Sequence, residues 1–123
     1  MSFLTDDQVI KLATHYHTAL YVFDEATIRR RCGELKAAIS YPNTRIRYAC
    51  KALTLQAILK IVRDEGLWID ASSVNEVHRA LRAGFAPEEI YYTGEGASAE
   101  VYGFLANRGI LINCTSIAQI ELL

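Results

Sequence analysis

"RIRYACKALTLQ", residues 45–56, is the stretch on which the fold turns. An apolar, strand-like run ends at a lysine, Lys51, and an apolar, helix-like run starts a few residues later. The first part predicts a strand over about 45–50. The second predicts a helix over about 54–65, opened by Thr54 as N-cap and closed by Gly66. The same cadence then repeats. "LWID" at 67–70 reads as a strand, followed by a helix over 73–83 that stops at Gly84. "IYYT" at 90–93 is the next strand, followed by a helix over 98–108 with Ser98 as cap and Gly109 as stop. "ILINC" at 110–114 precedes a last helix capped by Ser116. Strand starts near 45, 67, 90 and 110 make a βα unit every 20 to 23 residues. Upstream, "ALYVF" at 19–23 reads as a short strand. Asp24 reads as the N-cap of a helix to about Ile39, with Ile28, Cys32, Leu35 and Ile39 on one face.

Short strands with little alternation, each followed by an amphipathic helix, imply a parallel sheet covered by helices. A doubly wound dinucleotide fold would place G-x-G-x-x-G after its first strand. Here "CKALTLQ" follows, without a glycine. The expected fold is therefore the first half of a parallel (β/α)8 barrel, preceded by a short N-terminal strand and helix. A whole barrel needs eight units and roughly 250 residues, and this sequence supplies four. The expected organisation is an N-terminal segment, 1–24, and a truncated partial barrel, 25–123.

Composition narrows the function classes. A chain of 123 residues is one modest domain. A net charge of -1 leaves no broad footprint for nucleic acid or an anionic membrane, and "IRRRC" is too short to make one. No apolar run approaches a membrane span. "MSFLTDDQVIKL" carries acids where a signal peptide would be basic, so a cytoplasmic protein is expected. Cys32, Cys50 and Cys114 are odd in number and widely spaced, which fits a reducing compartment and no disulfide framework. His15 and His17 of "HYH" lack further partners at ligand spacing, so no metal site is expected.

In a parallel α/β sheet, ligands sit at the carboxyl ends of the strands. Lys51 lies at that end of the first barrel strand, Asp70 at that of the second, with Ser72, Ser73 and Glu76 just beyond. Thr93, Gly94, Glu95 and Gly96 follow the third strand, and Asn113, Thr115 and Ser116 the fourth. An amine is a nucleophile only when deprotonated, and burial at a barrel mouth favours that state. A carboxylate on the adjoining strand opposes it, unless the amine rests as an imine. The plain alternatives stay open at this point: a solvated lysine, and two acids that serve the start of a helix. Cys50 should point to the opposite face from Lys51, toward helix packing.

Several segments, in order, carry a resemblance. "TALYVFDEATIRRRC", "YACKALTLQAILK", "DASSVNEVHRALRAGF", "YYTGEGAS" and "GILINCTSIAQIELL" are similar to consecutive segments of the fold-type III pyridoxal-phosphate decarboxylases. The similarity runs over about residues 18–123 and is closest to the diaminopimelate branch. The resemblance implies pyridoxal 5'-phosphate as cofactor, with Lys51 as its covalent anchor and catalytic lysine. It implies that Asp70, Ser73 and Glu76 are cofactor-binding. It further implies an amino acid as the small-molecule substrate and a homo-oligomer, a dimer with sites at the interface. Residues 1–24 would lend a strand to the family's β domain. The sequence departs from the family pattern at Ala19, Leu53, Val74, Asn75, Glu95 and Ala97. By the same resemblance, the Gly-rich phosphate loop and the substrate-binding residues come later in the family's sequence. The expectation is an N-terminal fragment of such a decarboxylase, inactive by itself. An alanine-racemase-like or cofactor-carrier barrel, and a non-enzymatic half-barrel assembly module, are the competing readings.

Overall fold

Four short strands lie side by side: β1 (Arg47–Ala49), β2 (Trp68–Ala71), β3 (Ile90–Tyr92) and β4 (Leu111–Ile112). All neighbours are parallel, and the order is β1-β2-β3-β4. The coordinates are those of a computed structural model and describe residues 3–123; residues 1 and 2 of the N-terminal segment lie outside the described residues. A doubly wound sheet reverses its strand order at a switch point. A barrel advances one neighbour at a time, and this sheet does the same. The half-barrel expected from the 20-residue cadence is the architecture observed.

Among the described residues, six helices accompany the strands. α1 (Asp6–Tyr16) and α2 (Glu25–Ala37) precede β1, while α3 (Gln56–Asp64), α4 (Val74–Ala83), α5 (Ala99–Asn107) and α6 (Ile117–Glu121) each follow a strand. Their starts are set by side-chain caps that satisfy free backbone N–H groups. Ser73, Ser98 and Ser116 accept from the amides of Glu76, Val101 and Gln119. Asp24 accepts from the Ala26 amide and the Thr27 hydroxyl, and the Thr27 bond is the main reason its carboxyl sits below the usual range. Gly84 ends α4 at φ 94°, a left-handed conformation that a Cβ disfavours. Thr54 does not cap α3. Leu55 holds that position without a side-chain bond.

Register separates two faces of the sheet. Tyr48, Ile69 and Ile90 are aligned, as are Ala49, Asp70, Tyr91 and Leu111. Successive side chains alternate between faces. Ile69, Ala71, Ile90 and Tyr92 are buried beneath the helices, against Leu59, Val62, Val77 and Leu105. The opposite face, which is the inner face of a barrel, carries Arg47, Trp68, Asp70 and Tyr91, all only half-buried. The Arg47 guanidinium lies 5.5 Å from the Trp68 ring centroid and 4.7 Å from that of Tyr91. Arg29 ties α2 to the end of α3 through Glu65 at 3.0 Å. Lys36 donates to the Glu65 carbonyl.

Two N-terminal expectations change. The strand expected at 19–23 pairs with no other strand among the described residues. A β-prone run becomes a strand only beside another strand's backbone, and here its neighbours are helices. Leu20, Val22 and Phe23 instead line an apolar hollow of about 500 Å³ with Leu12 and Tyr16 of α1 and Ile58 and Ile61 of α3. α1 itself is an addition to the sequence reading. Thr5 and Gln8 form a capping box, with Asp6 and Asp7 in the first turn.

The three cysteines are free thiols. Cys50 points into the helix layer with no exposed surface, as expected, and burial pushes its thiol up to about 11. A thiolate is the reactive form, so Cys50 should resist maleimide at pH 8 in the native protein while the part-exposed Cys114 labels. Peptide mapping of the labelled protein checks this; equal labelling of both would contradict the burial of Cys50.

Candidate active site

The carboxyl ends of the strands gather polar groups on one rim. β1 does not run straight into its helix: Cys50–Ala52 form a 3-10 turn directly after Ala49. Cys50 anchors that turn from below with no exposed surface. The Tyr48 hydroxyl donates to the Leu53 carbonyl at 3.2 Å and pins its far side. Lys51, between these two fixed points, is exposed. Among the described residues its amine has neither hydrogen-bond nor ion-pair partner.

Asp70 stands on the adjoining strand, its Cα the register partner of Ala49, two residues before Lys51. Its carboxylate accepts from the Thr93 hydroxyl at 2.8 Å. This bond joins the ends of β2 and β3 on the inner face and holds the acid in one orientation. Ser73 and Glu76 meet at the start of α4. Ser73 Oγ accepts from the Glu76 amide at 3.3 Å, and Glu76 Oε2 accepts from the Ser72 amide at 2.8 Å. The Glu76 carboxylate thus braces the β2–α4 turn. Asp70 with Thr93, and Ser73 with Glu76, are brought together; Lys51 is bonded to neither pair. The burial expected for the lysine is not seen. Four strands make an open sheet, and a side chain at its rim keeps water on one side.

Gly94 closes this rim by near contact. A Cβ there would lie 2.6 Å from the Ser72 carbonyl oxygen and against the Tyr92 hydroxyl. Gly94→Ala must therefore push β2 and β3 apart beside Asp70. Forcing a methyl into such a packed place should cost about 2 kcal/mol. The shift of the urea midpoint measures it, and an unchanged midpoint would show that the two strand ends separate freely.

One residue and one contact of this surface escaped the sequence reading. Arg47 was hidden because a single arginine in a three-residue strand carries no periodic signal. The partnership of Thr93 with Asp70 was hidden because the two are far apart in the chain and meet only through strand register.

The sequence model of the family "Pyridoxal-dependent decarboxylase, pyridoxal binding domain" matches residues 25–123. The chain belongs to this decarboxylase family. The match takes in all four strands and five of the six helices. Among curated relatives of these decarboxylases, the diaminopimelate decarboxylase of Methanothermobacter thermautotrophicus is 41% identical over 113 residues, covering 90% of this chain and 26% of that protein. The Bacillus subtilis diaminopimelate decarboxylase is 37% identical over 91 residues, covering 72% of this chain and 21% of that one. Among solved structures, Helicobacter pylori diaminopimelate decarboxylase complexed with L-lysine superposes with a TM-score of 0.87 at 28% identity, covering 93% of this chain and 29% of that one. The lysine/ornithine decarboxylase of Vibrio vulnificus shares the fold, with a TM-score of 0.85 at 19% identity. The chain spans about a quarter of the length of the curated relatives it matches.

Proposed function

We propose that this chain is the cofactor-anchoring part of a pyridoxal-phosphate-dependent decarboxylase that converts meso-diaminopimelate to L-lysine and carbon dioxide. The observation that carries the reading is the unpartnered Lys51 amine in a doubly fixed turn at the carboxyl end of β1. An aldehyde-bearing cofactor requires a primary amine that no carboxylate has already engaged, and Lys51 meets that requirement. The similarity to diaminopimelate decarboxylases over 90% of the chain supports the substrate.

In this reading Lys51 would hold pyridoxal phosphate through Nζ. When bound, the cofactor supplies the electron sink for the pair left behind as carbon dioxide departs. Asp70, oriented by Thr93, keeps a negative charge on the adjoining strand, which favours the protonated state of a nitrogen near it. Ser73 and Glu76 keep the β2–α4 turn in place beside the cofactor. The close packing at Gly94 keeps side-chain bulk out of the rim. The enzyme in this reading is a cytoplasmic dimer, and its three free thiols accord with a reducing compartment.

The product of the complete reading frame should release carbon dioxide from meso-diaminopimelate, with L-lysine appearing in equal amount. L-ornithine and L-arginine should give far less. Formation of a D-amino acid without carbon dioxide would replace this reading with a racemase.

A further inference from the structure

The arginines of this chain fall into three groups: Arg45, Arg47 and Arg108 lie over aromatic rings, and the other six divide by whether a carboxylate pairs with them. Arg29, Arg30, Arg31 and Arg63 each pair with a carboxylate, at 3.0, 2.5, 2.8 and 2.8 Å. Arg79 and Arg82 have no carboxylate partner among the described residues. Arg79 makes a single long bond, 3.4 Å, to the Thr54 carbonyl.

These two unpaired cations share one place. With Gln56, Asn75 and His78 they line a groove of about 460 Å³ between the start of α3 and the outer side of α4. Residues 75, 78, 79 and 82 fall at helical spacing on the exposed face of α4, opposite the buried Val77, Ala80 and Ala83. The groove therefore lies behind α4, away from the sheet. Its lining contains two guanidinium groups, an imidazole and two carboxamides, and no acid. The Gln56 amide nitrogen is buried and has no hydrogen-bond partner. His78 is held in place against the Phe104 ring, at 5.0 Å between centroids.

We infer that this groove is an anion site for a phosphoryl group, separate from the pyridoxal site at the strand ends. Guanidinium forks match the oxygens of a phosphate in pairs, with charge-assisted bonds. A phosphoryl dianion compensates both arginines at once. The inference is independent of the role proposed for Lys51, because none of its residues belongs to the strand rim.

Titration calorimetry with inorganic phosphate, in a chloride background, tests it. The wild-type chain should bind one phosphate saturably. Arg79→Gln with Arg82→Gln should weaken binding at least about tenfold, the size of losing a charge-assisted bond or more. Arg30→Gln with Arg31→Gln removes the same net charge from α2 and should leave affinity within about twofold, since surface charges at a distance are screened. Adenosine monophosphate in a parallel arm separates the sources: tighter binding than phosphate points to a phosphoryl group carried on a larger molecule, equal binding to the free ion. Lys51→Ala should leave phosphate binding unchanged. No saturable binding, equal loss in both arginine pairs, or loss in Lys51→Ala would each overturn the site.

Discussion

Lys51→Ala abolishes covalent retention of pyridoxal phosphate in the expected result. The measurement is borohydride reduction of the cofactor-loaded product of the complete reading frame, then digestion and mass spectrometry. The wild type should carry the reduced cofactor on the peptide containing Lys51, and the variant should carry none above background. Lys51→Arg should behave as the alanine variant does. It keeps the positive charge but lacks a primary amine, so the comparison separates nucleophile from charge. Lys60→Ala, on the exposed side of α3, should leave the label in place. The physical basis is the turn at 50–52. A backbone turn fixed by Cys50 below and by the Tyr48 hydroxyl beyond presents the Lys51 amine from a defined position. Label found on another lysine would remove Lys51 from the reaction. The 123-residue chain alone is expected to retain the cofactor weakly, and tight binding by it at Lys51 would show a phosphate cradle beside that lysine within these residues.

The second large effect concerns the fold. Leu59 sits on α3 with no exposed surface, in the cluster with Val62, Ile69, Val77 and Leu105. Leu59→Ala should destabilise the chain by about 3 kcal/mol, the transfer loss plus the cavity left by incomplete collapse. That is a large part of the about 5–15 kcal/mol that holds a typical domain together. Leu55→Ala, at the cap position one turn before Leu59, is the control. Leu55 is 47% exposed and should cost well under 1 kcal/mol. Urea denaturation of the two variants gives the comparison directly. Equal effects would mean that α3 does not pack on the sheet through the face described.

Much of this architecture was legible beforehand, and for a local reason. Serine caps at 73, 98 and 116 and the left-handed stop at Gly84 act within one turn of chain, so their residues announce the boundaries. The cadence of strand and helix repeats because each unit must cover its own strand. Where a local signal was passed over, it was still present. Thr5 and Gln8, three residues apart with acids between them, mark the start of α1. The run at 19–23 pairs with no strand among the described residues, because strand character depends on a neighbour that the run does not contain. Thr54 lies between the 3-10 turn after β1 and the cap at Leu55, and caps neither.

The amino-acid order by itself determined the parallel βα cadence, the position of Lys51 at a strand end, and the polar residues that follow each strand. Hydrogen bonding within a turn and apolar periodicity within a helix are short-range forces, and short-range forces can be read along a chain. Only the tertiary structure decided which of those polar residues meet. The bond from Thr93 to Asp70 spans two strands, and the carboxylate-free groove at Arg79 and Arg82 needs two helices side by side. Such contacts depend on register and packing, which are set by the burial of one sheet face as a whole and by no single segment.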